Sequence, residues 1–403
     1  MKHLALTTLT ILLLSACTGI LPQPTEIPTQ ESQISEPTPE APTNTPLLPT
    51  ATLEPTPTET AIPTPAPVAY GPLDFPANVS PLTGKPVADP SLLERRPLAV
   101  KVQLFPRGQR PPWGVSLADI VYDYYQNFGL TRLHAIFLSQ NAETVGPIRS
   151  ARLLDQSLVN MYGSVFAFGS AEQRTYSRLF GGEAANRLVL EGNANCPPLC
   201  RIDPNGANFL VTNTDELSKY ATTKGVDNVR QDLTGMFFES QILPGGQPAS
   251  QIFTRFSISA YLLWDYNPET GRYLRYQDAQ ESNDSQSESL VPLTDQLTQQ
   301  QIAADNVVVL LVPHQYAFGT RPGPNEVVDI LLSGSGPAFA FRDGQAYQVT
   351  WNRPNKNSVL FLTLPDGTPY PYKPGTTWYE VVGQSSKQEN PGVGIWRFIH
   401  SIP

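Results

Sequence analysis

The sequence predicts an α+β fold: an N-terminal α/β layered domain with a mixed sheet, then a C-terminal part that is mainly antiparallel β. Two patterns carry this reading. Between residues 97 and 222, strand-like alternation is interleaved with apolar residues at helical spacing. Between residues 256 and 373, short β-rich runs succeed one another, with Asp343-Gly344 and Asp366-Gly367 as turn signals.

In the first half, 97–104, 118–125 and 131–139 read as strands, the last two joined by a turn at Asn127-Phe128-Gly129. The segment 150–161 has apolar residues at helical spacing with Ser150 placed as its N-cap, and 171–179 and 215–222 are shorter helices. In the second half, 256–264 and 271–276 flank Asn267-Pro268-Glu269-Thr270 as a hairpin, and 306–312 is a buried-strand run. Strands at 327–332, 338–342 and 346–351 follow. Gly334-Ser335-Gly336 reads as a bend between strands, and the polar stretch 277–301 as an exposed loop. The folded sequence thus divides into 73–240 and 250–403.

What precedes it is of another kind. Residues 1–16 carry Lys2, an apolar run and the small residues Ser15 and Ala16, which together make a signal peptide. The apolar run is shorter than the roughly 20 residues that span a bilayer. Leu14-Ser15-Ala16-Cys17 resembles a bacterial lipobox, in which the cysteine thiol receives the diacylglyceryl group. Cys17 is therefore the expected lipidation site, and it anchors the protein to the outer face of the cytoplasmic membrane by more than one acyl chain. Residues 17–72 repeat Pro-Thr and Glu-Pro-Thr units and read as a disordered tether, on the order of 140 Å long if extended at ~3.1 Å per residue. Six glutamates in that stretch account for most of the net charge of -9, and no Lys or Arg occurs between Cys17 and Lys85. The folded remainder is close to balanced, which gives nucleic-acid binding no support.

Cys196 and Cys200 flank Pro197-Pro198-Leu199, and for an exported chain a local disulfide is favoured over half of a metal site. His134, His314 and His400 have no metal-ligand spacing, so neither a metal nor a cofactor is expected. His134 lies in an apolar strand and reads as a core or cross-strand histidine. Ser139, Ser150 and Ser170 lack a Gly-x-Ser-x-Gly elbow. Trp264, Tyr266, Tyr273, Trp351, Trp378 and Trp396 read as core more than as a sugar-stacking surface.

The run SLADIVYDYYQNFGLTRLHAIFLSQNAETVGPIRSAR, followed by WDYNPETGRYLRY, DNVVVLLV, DILLSGSGPAFAFRDGQAYQVTWNR and LPDGTPYPYKPGTTWYEVV, closely resembles the YerB-like lipoproteins. Their paired N- and C-terminal parts are domain of unknown function 3048, and the resemblance implies no established activity. Asn127 and Phe128 stand where that family commonly has Glu-Gly before the Gly and the Thr-Arg, whereas Gly129, Thr131 and Arg132 match. A Pro-His-Asn element of the family is represented by Gly206-Ala207-Asn208, without the histidine.

The chemistry-bearing segment is Val145-Gly146-Pro147-Ile148-Arg149-Ser150-Ala151-Arg152, at a predicted helix start. Helix N-H groups together with Arg132, Arg149, Ser150 and Arg152 would grip a phosphate, pyrophosphate or carboxylate. Asp119 and Asp123, on one strand face by alternation, would hold a cation beside it. The alternative is that Arg132 and Arg149 pair with Asp119, Asp123 or Asp155 while Ser150 only caps the helix. The expected function is an accessory or binding lipoprotein of the cell envelope, with a cell-wall glycopolymer or an envelope protein as partner. A second expectation is similar to the LytR-CpsA-Psr phosphotransferases, which act on polyprenyl-pyrophosphate-linked glycopolymers, here through Arg132, Arg149, Arg152 and Asp119.

Overall fold

Strands that are apolar on both faces must be covered on both faces, and that requirement sets the layers of this protein. The computed structural model describes residues 68–192, 196–323 and 325–402; the signal peptide, Cys17 and nearly all of the expected tether lie outside the described residues. The central sheet uses β1 (Leu98–Gln103), β2 (Ile120–Asn127), β3 (Leu130–Phe137), β4 (Val165–Phe168), β5 (Leu188–Leu190), β6 (Asn306–Val312), β7 (Gly334–Arg342), β8 (Gln345–Arg353), β9 (Phe361–Thr363) and β10 (Thr377–Gly383). Their order is β5-β4-β1-β3-β2-β10-β6-β7-β8-β9, with parallel pairs at β5-β4, β4-β1, β2-β10 and β10-β6 and antiparallel pairs elsewhere. The sheet is mixed, and the fold is α+β.

The two halves of the chain meet inside this sheet. β10, near the C-terminus, lies parallel to β2, with Thr377 opposite Ile120 and Val381 opposite Tyr124. On one face, Val102, Leu133, Val309 and Trp378 pack with Leu217 of α3 (Thr214–Thr223) and with Ile252 and Trp264 of a second sheet. That second sheet is antiparallel apart from one parallel pair, Gln247–Arg255 with Gly394–Ile399, and it continues through Tyr261–Asn267 and Arg272–Asp278. On the other face, Tyr122, Ile136, Leu310 and Tyr379 pack with Leu154 and Leu158 of α1 (Leu153–Tyr162) and Leu179 of α2 (Gln173–Phe180). Trp264, Trp351, Trp378 and Trp396 are all core residues.

Several sequence expectations are corrected. Ala69–Tyr70, assigned to the tether, is a strand paired with Phe237–Glu239, because Tyr70 finds a backbone ladder there. The strand expected at 256–264 begins at Tyr261; Phe256 and Ser257 form a turn onto the Ala260 carbonyl. The polar stretch 277–301 is not simply exposed. Leu290–Pro292 pairs with Arg272–Asp278, and the buried Asp295 carboxylate accepts the Gly114 and Ser116 N-H groups at 2.8 Å each. Cys196 and Cys200 are joined by a disulfide, with their Cα atoms 4.6 Å apart.

Gly334-Ser335-Gly336 opens β7 instead of bending between strands, with Gly336 directly opposite Trp351. A Cβ at Gly336 would come within 2.7 Å of the Trp351 indole nitrogen, so glycine is needed there for close approach. Gly336→Ala is expected to lower unfolding free energy by about 1–3 kcal/mol through overpacking, read as a shifted urea midpoint at unchanged slope. A variant as stable as wild type would show that the indole moves aside freely.

Candidate anion-binding site

Three strands place polar side chains on a face that is otherwise apolar. Lys101 and Gln103 of β1 sit opposite His134 and Arg132 of β3, and Tyr122 and Tyr124 of β2 sit opposite the same two residues. Two-residue alternation therefore sets Lys101, Arg132, His134 and Tyr124 on one face, beneath the start of α1. The preceding segment is fixed by backbone pairing. Gln103 N-H donates to the Pro147 carbonyl, Arg149 N-H to Lys101, Gly169 N-H to Arg149 and Ala151 N-H to Ser170. Arg149, Ser150 and Arg152 are thereby held across from Arg132.

Ser150 is not the N-cap. The helix begins at Leu153, Arg152 occupies the cap, and the Asp155 carboxylate accepts the Arg152 N-H at 2.6 Å. Asp155 can reach back because it is the third residue of the helix. Ser150 is left free to pair its hydroxyl with Ser170 at 2.6 Å. Its carbonyl accepts Arg132 Nη1 at 2.6 Å, and Arg152 Nη1 lies 3.4 Å from the same oxygen.

The three arginines converge on neutral acceptors. Arg152 also donates to the Ala151 carbonyl at 2.8 Å and to Gln126 Oε1 at 2.7 Å, and Arg149 donates to Gln109 Oε1 at 3.2 Å. Among the described residues none of Arg132, Arg149 and Arg152 forms an ion pair, so the expected pairing with Asp119, Asp123 or Asp155 does not occur. Burial first, and then the neighbouring Arg152, push the Arg132 pKa down to about 8; burial also lowers Arg152. Arg132 Nε is buried with no partner. Asp155 acts through space on Arg132 and, with Glu172, on Arg152, yet pairs with neither, and partly buried cations with no direct counter-ion are costly.

Below the arginines lies a network that the sequence reading did not assemble. Asp155 Oδ1 accepts His134 Nδ1 at 2.8 Å and pairs with Lys101 Nζ at 3.2 Å, and the Tyr124 hydroxyl bonds to both Asp155 and Lys101. All four side chains are fully buried, with Phe166 stacked on His134 at 4.8 Å. Burial pushes the Lys101 pKa down to about 7 and lowers His134. Burial alone would raise the Asp155 carboxyl, but Lys101 and His134 hold it well below the ordinary carboxylate range. The available signal was Lys101 two residues from Gln103, and Arg132 two residues from His134, in strands that are otherwise apolar.

The acidic candidates lie elsewhere. Asp119, just ahead of β2, accepts the Leu138 and Ser139 N-H groups at 2.5 and 3.0 Å, and burial raises its pKa. Asp123 points to the opposite face from Tyr124 and bonds Arg275 at 2.5 Å. Arg275 also bonds Glu380, Asp123's partner on β10, at 2.7 Å, and its guanidinium lies 5.1 and 5.0 Å from the Trp264 and Trp378 rings. Asp119 and Asp123 therefore have separate partners and do not share a cation. His314 and His400, remote in sequence, bring their rings 5.1 Å apart, and among the described residues no three His, Cys, Asp or Glu side chains gather as a metal site.

Burial raises the Glu380 pKa from its ordinary 4.5 to about 8; Arg275 opposes the shift and Asp123 adds to it. A raised folded-state pKa contributes stability that is present below the ordinary value and lost as pH climbs toward 8. Glu380→Gln, which carries no such proton, is expected to gain on wild type by up to about 1.4 kcal/mol per pH unit between pH 5 and 7. Paired urea unfolding curves measure this difference. A constant gap across that range would mean that Glu380 titrates normally.

Residues 82–227 match the N-terminal domain, and residues 252–379 the C-terminal domain, of DUF3048, described as a protein of unknown function. The Bacillus subtilis (strain 168) protein named "Putative lipoprotein YerB" is 28% identical over 313 residues, covering 75% of this chain and 86% of that protein. The crystal structure of the YerB protein from Bacillus subtilis is similar with a TM-score of 0.59 at 25% identity, covering 75% of this chain and 96% of that one. With both domains present in order across most of the folded sequence, the chain belongs to the DUF3048 family.

Proposed function

We propose that this protein is a cell-envelope lipoprotein, anchored through Cys17, whose folded part binds an anionic envelope component at Arg132, Arg149 and Arg152. The observation that carries the binding reading is that Arg132 and Arg152 share the Ser150 carbonyl, with Arg149 on Gln109, and that none of the three has a carboxylate within ion-pair distance among the described residues. The anchoring part rests on the Leu14-Ser15-Ala16-Cys17 sequence after an apolar run, and on likeness to a protein whose name includes lipoprotein. Binding is preferred to phosphoryl transfer on two grounds. Lys101, His134, Asp155 and Tyr124, the groups able to move a proton, are shut beneath the arginines. Asp119, which the phosphotransferase reading needs beside them, is engaged by Leu138 and Ser139.

Titration of the full-length protein in detergent with inorganic pyrophosphate tests this. Saturable binding is expected, weakening as salt is added, with Arg152→Ala reducing affinity about tenfold or more, the scale of one charged hydrogen bond. Arg132→Met separates a binding role from a structural one. It should lose affinity while its melting temperature stays level or rises, because an unpaired cation has been removed. Absence of saturable binding at low ionic strength, or unaltered affinity in both variants, would refute the reading.

A further inference from the structure

The geometry points to a phosphorylated monosaccharide unit as the ligand class, with its phosphate on the arginines and its ring in the adjoining pocket beside Phe128 and Phe318. This rests on the anion-binding reading above. Arg152 joins the two regions: Nη1 faces the Ser150 carbonyl shared with Arg132, and Nη2 donates to Gln126 in the pocket wall. The pocket holds about 220 Å³ and is lined by Gln126, Asn127, Arg152, Glu172, Thr175 and Glu326, with Arg174, Asn325 and Val327. Its size is below the roughly 300–1,000 Å³ of sites for drug-sized ligands, which suits one small ring and not a nucleotide or an oligosaccharide.

The lining decides what kind of ring. Val327 is its single aliphatic side chain, and Gln126, Asn127, Thr175 and Asn325 offer amide and hydroxyl groups along the wall. The lining mixes charge: Arg152 and Arg174 are cationic, Arg174 is paired with Glu172 at 2.7 Å, and Glu326 is a second carboxylate. Glu326 is held by Tyr125 Oη at 2.7 Å, Phe128 N-H at 2.6 Å and Gly323 N-H at 3.3 Å, all neutral donors. Such acceptors match sugar hydroxyls and repel a second phosphate. Phe128 and Phe318 adjoin lining residues without lining the pocket themselves, and an exposed aromatic ring offers a face to the apolar side of a sugar. Phe128 and Phe318 are 56% and 50% exposed, and both are in the left-handed region, with φ of 54° and 56°. That conformation is an outlier for a bulky residue, and strain of this kind clusters at ligand sites. Each residue is tied to a lining residue: the Phe128 backbone N-H donates to Glu326, and the Arg174 guanidinium lies 5.1 Å from the Phe318 ring.

The test compares glucose 1-phosphate, inorganic phosphate and a short-chain phosphatidic acid by calorimetry on the full-length protein in detergent. Glucose 1-phosphate is expected to bind about tenfold more tightly than inorganic phosphate. Phe128→Gly and Phe318→Gly suit the left-handed backbone and so preserve the fold. Each should weaken glucose 1-phosphate about threefold to tenfold while leaving inorganic phosphate unchanged. If inorganic phosphate binds and the sugar phosphate is no tighter, the inference fails and the anion-binding reading stands. If neither binds, both fail. Sugar-phosphate binding indifferent to both glycine variants overturns the placement of the ring, and tighter binding of the phosphatidic acid overturns the ligand class.

Discussion

The fold depends on the parallel pairing of β2 with β10, because that ladder is where the two halves of the chain become one sheet. It places Asp123 and Glu380 side by side on a buried face, an arrangement that requires a cation. Arg275 supplies it from the second sheet, beside two indole rings that pack edge to face with each other. One guanidinium thus binds β2 and β10 of the central sheet to the second sheet, and the Trp264 indole N-H adds a further bond to Glu380 at 2.9 Å.

Across the sheet the charge logic is reversed. Arg275 bonds Asp123 and a Glu380 carboxyl whose pKa is raised to about 8, whereas Arg132, Arg149 and Arg152 have carbonyl and amide oxygens. The carboxylate nearest to them, Asp155, is committed to Lys101, His134 and the helix cap. One buried arginine is paired with carboxyl groups, whereas the other three have none within ion-pair distance among the described residues. The buried network below keeps the platform stiff: Asp155 ties α1 to β1, β2 and β3 at a single carboxylate.

Much of the secondary structure was legible because it is local. The apolar run Asn306–Val312 is a strand with the expected bounds, and the turns at Asn267-Pro268-Glu269-Thr270 and Asp343-Gly344 join the strands they were read to join. Arg132, Arg149, Ser150 and Arg152 were singled out by residue type and spacing, and the folded chain brings them together. Partnership was not legible. Ser150 looked like a cap because it precedes a helical pattern, yet the cap went to a residue pair two positions later, once Ser170 had claimed the hydroxyl. Gly334-Ser335-Gly336 looked like a bend because glycine weakens strands; a tryptophan from the next strand is what makes glycine necessary there.

The amino-acid sequence by itself determined the family and the α+β class, since composition, periodicity and motif order are properties of neighbours along the chain. The tertiary structure alone decided which charges cancel. Asp123 could face either Arg132 or Arg275, and the pleat turned it toward Arg275. Asp155 could neutralise the arginines, and it was taken by Lys101 and His134. An ion pair is settled by distances of a few ångströms between segments far apart in sequence, and those distances exist only after the sheet has closed.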